Sequence, residues 1–537
     1  MKQLFIHGIV FTGQLPLVSA FAVEGDTFLH CGTDAEILAL KEPGDEVIDL
    51  QGDFVCPGFH DSHMHLLNYG YAMENCDLSC HTGSLDDVVH ALKLFAAEHP
   101  AGWIQGRGFN QDYFADSHNM PTRYDLDQVA ADRPVCIVRC CGHCLVVNSY
   151  TLNLLGIDGT QPQVCSGHYD LDQDGAPLGI FRDAAMSMVE DHIPIPDKED
   201  IKRMLLSASQ ALNRYGVTAC QTDDLLTFPG LPWPVVLEAY RELEAAGALT
   251  VRILQQCQFT DVPSLQKFME QGYKTSVGTD WFRIGPLKLL GDGSLGARTA
   301  FLREAYADAP EQRGLSLFTQ EEFDDLIGYA VQHGMQVAVH AIGDGILDRI
   351  LLAYEKAFRN FPVKDHRCGI VHAQITHPEQ LKTMHRLGLH VYAQTIFIDY
   401  DAHIVGKRVG NQLAASSYAF GTMKKLGIHV SNGTDCPVEK PDALRCIQCA
   451  VTRQPIAQDV SPYLPEEALT VEEAFQSYTR ESAYAAFAET RLGQIQPGFL
   501  ADFVRLDANP FETNPQCLHK IKVKETWVGG TQIYIVD

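Results

Sequence analysis

The chain has 537 residues, too many for one compact hydrophobic core unless that core is a barrel with additions. Its composition, 46% hydrophobic and 20% charged, is typical of soluble globular proteins. The 68 acidic residues outnumber the 41 basic ones and give a net charge of −27, so we expect neither nucleic acid nor a membrane surface as a partner.

The N-terminal segment MKQLFIHGIVFTGQLP is a short alternating run broken by His7, Gly8 and Gly13, which predicts a strand and turn rather than a signal peptide. No window holds 18 uninterrupted apolar residues, so no membrane span is expected. The 16 scattered cysteines, without an export signal, indicate free thiols in the cytoplasm.

Short β-rich runs occupy both ends of the chain. They include AFAVEGDTFLHC and DEVIDLQGDFVC at the front, and ADFVRLDA and KVKETWVGGTQIYIV at the back. Each end is too small to bury a sheet face alone. We therefore predict that residues 1–56 and 490–537 form one small discontinuous β-sandwich, with the rest of the chain inserted into it.

The long middle alternates apolar strands with helical segments, which indicates parallel β/α units. One helix candidate, TQEEFDDLIGYAVQHG, opens with Thr319 followed by Glu322, a capping signal. Eight such units predict a closed (β/α)8 barrel over residues 57–489. The strand candidates are GFHDSHMHL, GVTACQT, ALTVRILQQC, WFRIGPLKLLGD, GMQVAVHAI, RCGIVHAQI, GLHVYAQT and GIHVSNGTD.

The first two strand candidates are separated by well over a hundred residues. That length exceeds one crossover, so an insertion or subdomain is predicted at about residues 70–200.

Metal-ligating side chains recur where these strands end. His63 and His65 are two residues apart, so an extended strand points both to one side. Active sites of barrels gather at the carboxyl ends of the strands. Similar side chains at the ends of the fourth, fifth, sixth and eighth candidates are Lys288, His340, His372 and Asp435.

These motifs resemble the amidohydrolase superfamily, and more closely the YtcJ-like metal-dependent hydrolases, whose relatives include an N-substituted formamide deformylase. The resemblance covers nearly the whole chain. It is carried by PGFHDSHMH, KLLGDGSLGARTA, VHAIGDGILDRIL, RCGIVHAQI, NGTDCPVE and LGQIQPGFLADFVRLD.

The resemblance implies a binuclear metal site. His63, His65 and Asp435 would hold one metal and His340 and His372 the other. Lys288 would bridge both as a carbamate, formed when its neutral amine takes up CO2. Zinc suits imidazole and carboxylate ligands best, and manganese and iron stay open. Asp435 is expected to be catalytic, orienting a metal-activated hydroxide and passing its proton to the leaving nitrogen.

Several other residues are weaker candidates. His60 and Asp61 are expected to belong to the scaffold, with His60 facing away from the ligands. Asp344 is expected either to hydrogen-bond a ligand imidazole or to cap a helix. Substrate contact or support of the site is considered for His143, Arg182, Asp292, Ser294 and Arg298.

The function expected is that of a metal-dependent hydrolase acting on carbon–nitrogen bonds other than peptide bonds. Its small-molecule substrate would be an N-acyl or N-formyl amine. An ester or lactone hydrolase on the same binuclear site is the alternative, and a metal-free, non-catalytic homologue is a third. The oligomeric state is open, a homo-oligomer included.

Overall fold

The structure is a computed structural model, and it describes residues 1–81, 83–115, 119–140, 144–162, 167–456 and 460–536. Contacts divide the chain into two compact units, one formed by Met1–Asn68 with Leu205–Asp537 and the other by Tyr69–Met204.

The strands of the described residues fall into four sheets. In chain order they are β1 (Lys2–Ile6), β2 (Ile9–Val10), β3 (Ala20–Glu24), β4 (Thr27–Gly32), β5 (Glu46–Asp49), β6 (Phe54–Pro57), β7 (Phe59–Met64), β8 (Cys76–Asp77), β9 (Ile104–Phe109), β10 (Val135–Arg139), β11 (Cys144–Val147), β12 (Gly167–Leu171), β13 (Pro177–Asp183), β14 (Val217–Thr222), β15 (Arg252–Gln258), β16 (Phe282–Leu290), β17 (Val337–Ala341), β18 (Gly369–His372), β19 (His390–Ala393), β20 (Val430–Asn432), β21 (Phe503–Leu506), β22 (Val523–Val528) and β23 (Thr531–Ile535).

The α-helices of the same residues lie mostly between the strands of the largest sheet. They are α1 (Asp34–Leu38), α2 (Leu66–Met73), α3 (Leu85–Glu98), α4 (Arg123–Leu126), α5 (Ser149–Leu155), α6 (Ser187–Glu190), α7 (Lys198–Arg214), α8 (Trp233–Ala245), α9 (Val262–Glu270), α10 (Gln320–Gln332), α11 (Asp344–Asn360), α12 (Pro378–Leu387), α13 (Ile398–Asp401), α14 (Val405–Ala414), α15 (Phe420–Lys425), α16 (Ala443–Thr452), α17 (Val471–Ser477) and α18 (Arg480–Ala485).

The largest sheet is an eight-stranded parallel barrel. Its strand order is β7-β14-β15-β16-β17-β18-β19-β20, and every neighbouring pair is parallel. Beyond the carboxyl ends of its two outer strands, the Asp435 amide donates to the His63 carbonyl at 2.9 Å. The His65 amide likewise donates to the Cys436 carbonyl at 2.8 Å, so these bonds join the two edges. The predicted α/β barrel is confirmed.

The barrel helices begin where the sequence signals them. At the start of α10 the Thr319 hydroxyl accepts from the Glu322 amide at 3.3 Å, and the Glu322 carboxylate accepts from the Thr319 amide at 2.7 Å. This reciprocal pair satisfies two amides that the first turn leaves without partners, and it confirms the predicted capping signal. No α-helix among the described residues is long and apolar enough to span a bilayer.

The chain ends contribute two further sheets, with orders β4-β3-β1-β5 and β2-β6-β21-β22-β23. Strand β6 pairs antiparallel with β21, which links the two ends of the chain. One apolar cluster contains residues of both sheets, with Phe5 and Phe503 in edge contact at a centroid distance of 5.1 Å. The small sandwich and its sequence bounds stay a prediction.

The unit Tyr69–Met204 has a mixed sheet of its own, in the order β12-β13-β11-β10-β9-β8. Its core includes Ile104, Phe109, Phe114 and Ile137, all nearly inaccessible to solvent. The aromatic run WIQGRGFNQDYF therefore contributes to the core of this unit.

Candidate metal centre

The barrel brings the six predicted ligands to one rim. His63 lies in β7, and His65 follows that strand by one residue. Lys288 is in β16 and His340 in β17. The remaining two are His372, the last residue of β18, and Asp435, three residues beyond β20. The carboxyl ends of parallel barrel strands meet at one edge, which explains why residues so distant in sequence converge.

Three of these residues form the first group of donor atoms. The ligand atoms of His63, His65 and Asp435 all lie within 4.8 Å of one another. Asp435 Oδ1 is 3.0 Å from Nε2 of His65 and 3.3 Å from Nε2 of His63. Two imidazoles and a carboxylate are ligands suited to a divalent ion such as zinc, so this donor set fits the metal.

The backbone around Asp435 allows the loop after β20 to pass close to His63. A Cβ atom placed on Gly433 would lie 2.6 Å from the His63 amide nitrogen, which is too close for any other residue. Asp435 and His372 adopt φ angles of 58° and 76°, a left-handed conformation that side-chain-bearing residues rarely adopt. Strain of this kind concentrates at functional sites, where surrounding contacts hold it in place.

Lys288 reaches the first group from the fourth strand of the barrel. It is fully buried, and its Nζ lies 3.3 Å from Nε2 of His63. On its other side Nζ lies 3.1 Å from Oδ2 of Asp223. Sequence reasoning did not select Asp223, although it directly follows the second strand of the barrel in the run QTDD.

His340 and His372 form a second group. Nδ1 of His340 is 2.9 Å from Nε2 of His372. The ring centroids of His372 and His63 are 5.9 Å apart, so the second group adjoins the first. The structure thus assembles all six predicted residues in one cluster.

Acceptor oxygens behind the histidines determine which ring nitrogen faces the cluster. Nδ1 of His63 lies 2.9 Å from the amide oxygen of Gln256, and Nδ1 of His372 lies 2.6 Å from that of Gln394. An amide oxygen can only accept, so these nitrogens carry the protons and each Nε2 keeps its lone pair. Gln256 is fixed in turn by donating to the Ser62 carbonyl at 3.3 Å.

His340 has the opposite arrangement. Its Nε2 lies 3.1 Å from the Gly293 carbonyl and 3.2 Å from Oδ1 of Asp292. Both partners are acceptors, so Nε2 carries the proton and Nδ1 presents its lone pair towards His372. The imidazoles of His63, His340 and His372 therefore direct unprotonated nitrogens into a common space, where Nε2 of His65 faces Asp435.

Charges within the cluster shift the ionisation of its members. Burial opposes protonation of His65, but Asp223 and Asp435 outweigh it and raise the His65 pKa to about 10. Burial alone would raise the pKa of Asp435, yet the adjacent imidazoles of His63 and His65 hold it well below its ordinary value. Burial, with His340 beside it, lowers the pKa of His372. Asp435 therefore stays ionised beside a protonated His65, and binding of a divalent cation would displace the His65 proton.

His60 and Asp61, the two scaffold candidates of the HDSHMH motif, lie outside this ligand set. The Asp61 carboxylate accepts from the Thr434 hydroxyl at 2.6 Å and from the His63 amide at 3.1 Å, and it thereby joins β7 to the loop that carries Asp435. His60 is buried, and neither of its ring nitrogens has a hydrogen-bond partner within the described ranges. Burial lowers the His60 pKa to about 3.

The weaker candidates in the loop after β16 have structural partners. Asp292 accepts from the amides of Phe301 at 2.8 Å and Gly343 at 2.9 Å, and it also faces His340. The guanidinium of Arg298 pairs with Asp308 at 2.9 Å. The Ser294 hydroxyl accepts from the Ala297 amide at 3.3 Å, within the same loop.

The remaining weak candidates lie in other parts of the chain. Asp344 is the first residue of α11, which is capped by Gly343, and its side chain accepts from the Arg303 amide at 3.0 Å and lies 3.0 Å from Nε2 of His377. Arg182 pairs with Asp170 at 2.9 Å inside the unit Tyr69–Met204. His143 lies outside the described residues.

The fold and this cluster are those of a metal-dependent hydrolase barrel, and comparison with known proteins gives the family. The model of the amidohydrolase family matches residues 46–534. The chain belongs to the amidohydrolase family.

Individual relatives are similar along most of their length. The protein named as amidohydrolase YtcJ of Bacillus subtilis strain 168 is 32% identical over 92% of this chain and 91% of its own length. The N-substituted formamide deformylase of Arthrobacter pascens is 28% identical over 96% of this chain and 94% of its own. The crystal structure of an uncharacterized metal-dependent hydrolase from Pyrococcus furiosus is 31% identical, with a TM-score of 0.79 over 95% of this chain and 100% of that one.

Proposed function

We propose that this protein hydrolyses the carbon–nitrogen bond of an N-acyl or N-formyl amine at a binuclear metal centre. The observation that carries the proposal is the cluster of His63, His65, Asp435 and Lys288 beside the His340–His372 pair, all at the catalytic rim of the barrel. The deformylase relative supports the choice of bond, because its name states cleavage of a substituted formamide.

The residues divide between two ions. His63, His65 and Asp435 would hold the first metal, and His340 and His372 would hold the second through the nitrogens left free by their acceptors. Lys288 lies beside the first group and, as a carbamate, would supply oxygens to both ions. Zinc is the ion proposed, because imidazole and carboxylate ligands suit it. Bound metals of this kind lower the pKa of water and polarise a carbonyl.

Asp435 is the residue proposed to move the proton. Its carboxylate lies against both histidines of the first group and is about one-tenth exposed, so it can meet a reactant at the rim. It would accept a proton from the attacking water and deliver it to the leaving nitrogen. An amine leaves poorly without that proton, whereas the alkoxide of an ester or lactone leaves more readily. Asp435 therefore favours amides over the ester and lactone alternatives.

The experiment is a comparison of Asp435→Asn with the wild type on a panel of N-formyl and N-acyl amines, esters and lactones, with metal measured on the same samples. We expect metal to be largely retained, because the Asn oxygen can still act as a ligand. We expect kcat on amides to fall by about 10²–10⁴-fold, the usual contribution of a general acid–base. Unchanged turnover in this variant would rule out the proposed role.

Glu439→Gln provides the matched control. It makes the same carboxylate-to-amide change four residues further along the same loop, outside the ligand set. It should keep metal and turnover close to wild type. Hydrolysis of esters or lactones with no activity on any amide would instead select the alternative reaction.

The arrangement of the two end sheets and the location of the protein in the cell are part of the same proposal. The two end sheets would form one β-sandwich beside the barrel, supported by their shared apolar cluster. A cytoplasmic location is proposed from the many cysteines that are free thiols among the described residues.

A further inference from the structure

Asp223 links two of the predicted ligands that come from different strands. Its Oδ2 lies 3.1 Å from Nζ of Lys288, and its Oδ1 is in contact with Nδ1 of His65. Asp223 itself is 5% exposed and stands directly after β14, the strand next to β7 in the barrel. A carboxylate in this position costs free energy to bury unless it is paired, and here both of its oxygens face a cationic or proton-bearing group.

The contact with His65 resembles the contacts behind the other histidines, with one difference. Nδ1 of His63 and Nδ1 of His372 face neutral amide oxygens, whereas Nδ1 of His65 faces a carboxylate. A carboxylate that accepts from a ligand imidazole fixes the orientation and tautomer of the ring. It also makes the opposite nitrogen more basic and therefore a stronger metal ligand. In His65 that opposite nitrogen is Nε2, which lies 3.0 Å from Asp435.

The contact with Lys288 has a separate consequence. Lys288 is long and flexible, and its Nζ is fixed between Asp223 on one side and His63 on the other. Without Asp223, the side-chain partner left within hydrogen-bond distance of Nζ would be a histidine nitrogen that is also a predicted metal ligand. Asp223 therefore fixes the position of the Lys288 amine when no metal is bound.

We propose that Asp223 is a positioning residue for the metal centre, which orients His65 through Nδ1 and holds Lys288 beside His63. This inference rests on the metal site of the proposed function, but not on the reaction. It makes Asp223 a required part of the metal-binding apparatus without being a ligand itself, because its oxygens face His65 Nδ1 and Lys288 Nζ rather than the common space of the ligand atoms.

The test is the zinc affinity of the purified full chain, measured by competition with a chromogenic chelator in the absence of substrate. We expect Asp223→Ala to weaken zinc binding by about 10–100-fold, the usual loss when the partner of a ligand histidine is removed. Asp223→Asn keeps an oxygen that can accept from His65 Nδ1, so we expect it to recover a large part of that loss. Failure of the chain to hydrolyse any amide would overturn the proposed function and leave this result standing.

Asp224→Asn is the matched control, because Asp224 is the adjacent buried carboxylate and contacts neither His65 nor Lys288. It accepts from the Thr222 hydroxyl and the Leu67 amide, each at 2.9 Å. It should lower the melting temperature without changing zinc affinity. If Asp223→Ala behaved in the same way, with wild-type affinity and only a lower melting temperature, the positioning role would be refuted.

A second comparison separates positioning from direct ligation. If Asp223 were itself a ligand, the ion in cobalt-substituted Asp223→Ala would have one protein ligand fewer than in the wild type, and a coordination number lowered in this way in the cobalt absorption spectrum would also overturn the proposal. A double-mutant cycle with Lys288→Ala then tests the contact between the two residues. We expect the double variant to lose less affinity than the product of the two single losses, and strict additivity would contradict the contact with Lys288.

Discussion

Substitution of Asp292 tests how the second group, His340 and His372, is held in position. Its side chain is inaccessible to solvent, and its two oxygens accept four contacts. Oδ1 lies 3.1 Å from the Ile342 amide and 3.2 Å from Nε2 of His340. Oδ2 accepts from the amides of Phe301 and Gly343 at 2.8 and 2.9 Å. Asp292→Asn replaces one of these oxygens with an NH2 group, which cannot accept.

The magnitude follows from this count of contacts. Whichever way the new amide turns, two donors lose their acceptor and face another donor. A buried donor left without a partner costs about 1–3 kcal/mol, so the variant should lose about 2–6 kcal/mol of unfolding free energy. If the NH2 group faces His340, Nε2–H of that ring keeps the Gly293 carbonyl as its acceptor but meets a second donor, which displaces the ring from the position in which Nδ1 faces His372.

The assay therefore has two readouts, denaturant unfolding and metal content. We expect a lower unfolding midpoint and a preferential loss of the metal at His340 and His372, while the metal at His63, His65 and Asp435 is retained. Cobalt or zinc titration of the stripped protein would distinguish the two sites by their affinities. Wild-type stability together with full metal content would refute the reasoning about Asp292.

Two further substitutions test buried charged residues that are not predicted ligands. Arg252 and Asp502 form a buried bidentate pair at 2.7 and 2.9 Å, so Arg252→Ala should lower the unfolding free energy measured in denaturant by about 3–5 kcal/mol, and a loss below about 1 kcal/mol would contradict this. The second substitution is at Asp401, which accepts a hydrogen bond from the Tyr418 hydroxyl at 2.6 Å. Burial nevertheless raises the pKa of Asp401 to about 6. Because that pKa lies above the unfolded value of about 3.9, its contribution to stability is full below about pH 4 and is lost as pH rises through 6. The stability of Asp401→Asn relative to wild type should therefore rise by about 2 kcal/mol between pH 4 and 7, and a difference that does not change with pH would show that the pKa of Asp401 is not raised.

The barrel and its six rim residues could be predicted from the sequence because their signals are local. Each strand is an apolar run that ends in a polar side chain, and alternation alone places His63 and His65 on one side. The carboxyl ends of parallel strands meet by geometry, so Lys288 and Asp435 follow without knowledge of any loop.

The residues behind the ligands carry no comparable signal. Gln256 is one of three glutamines in β15, and the sequence does not show which of them contacts His63. Asp223 is one of two consecutive aspartates, and the sequence does not show which of them faces His65. Its role depends on the spacing of neighbouring strands, which only the three-dimensional structure gives.

The contacts of loop residues are harder still to predict from the sequence, because they depend on the path of the loop. Arg298 reaches Asp308, and Asp344 reaches His377, in both cases through chain reversals that the sequence pattern does not specify. Asp292 lies beside His340, but its hydrogen bonds to the backbone beyond β17 depend on the fold of the segment 291–303.

The metal content of the purified protein tests the central claim most directly. The chain should be expressed in zinc-replete medium, and metal per chain should be measured by mass spectrometry for the wild type and for His63→Ala/His65→Ala. A binuclear centre predicts close to two equivalents in the wild type and loss of the ion held by the first group in the double variant. A wild-type protein with a stoichiometry near zero would contradict the account and revive the metal-free, non-catalytic alternative.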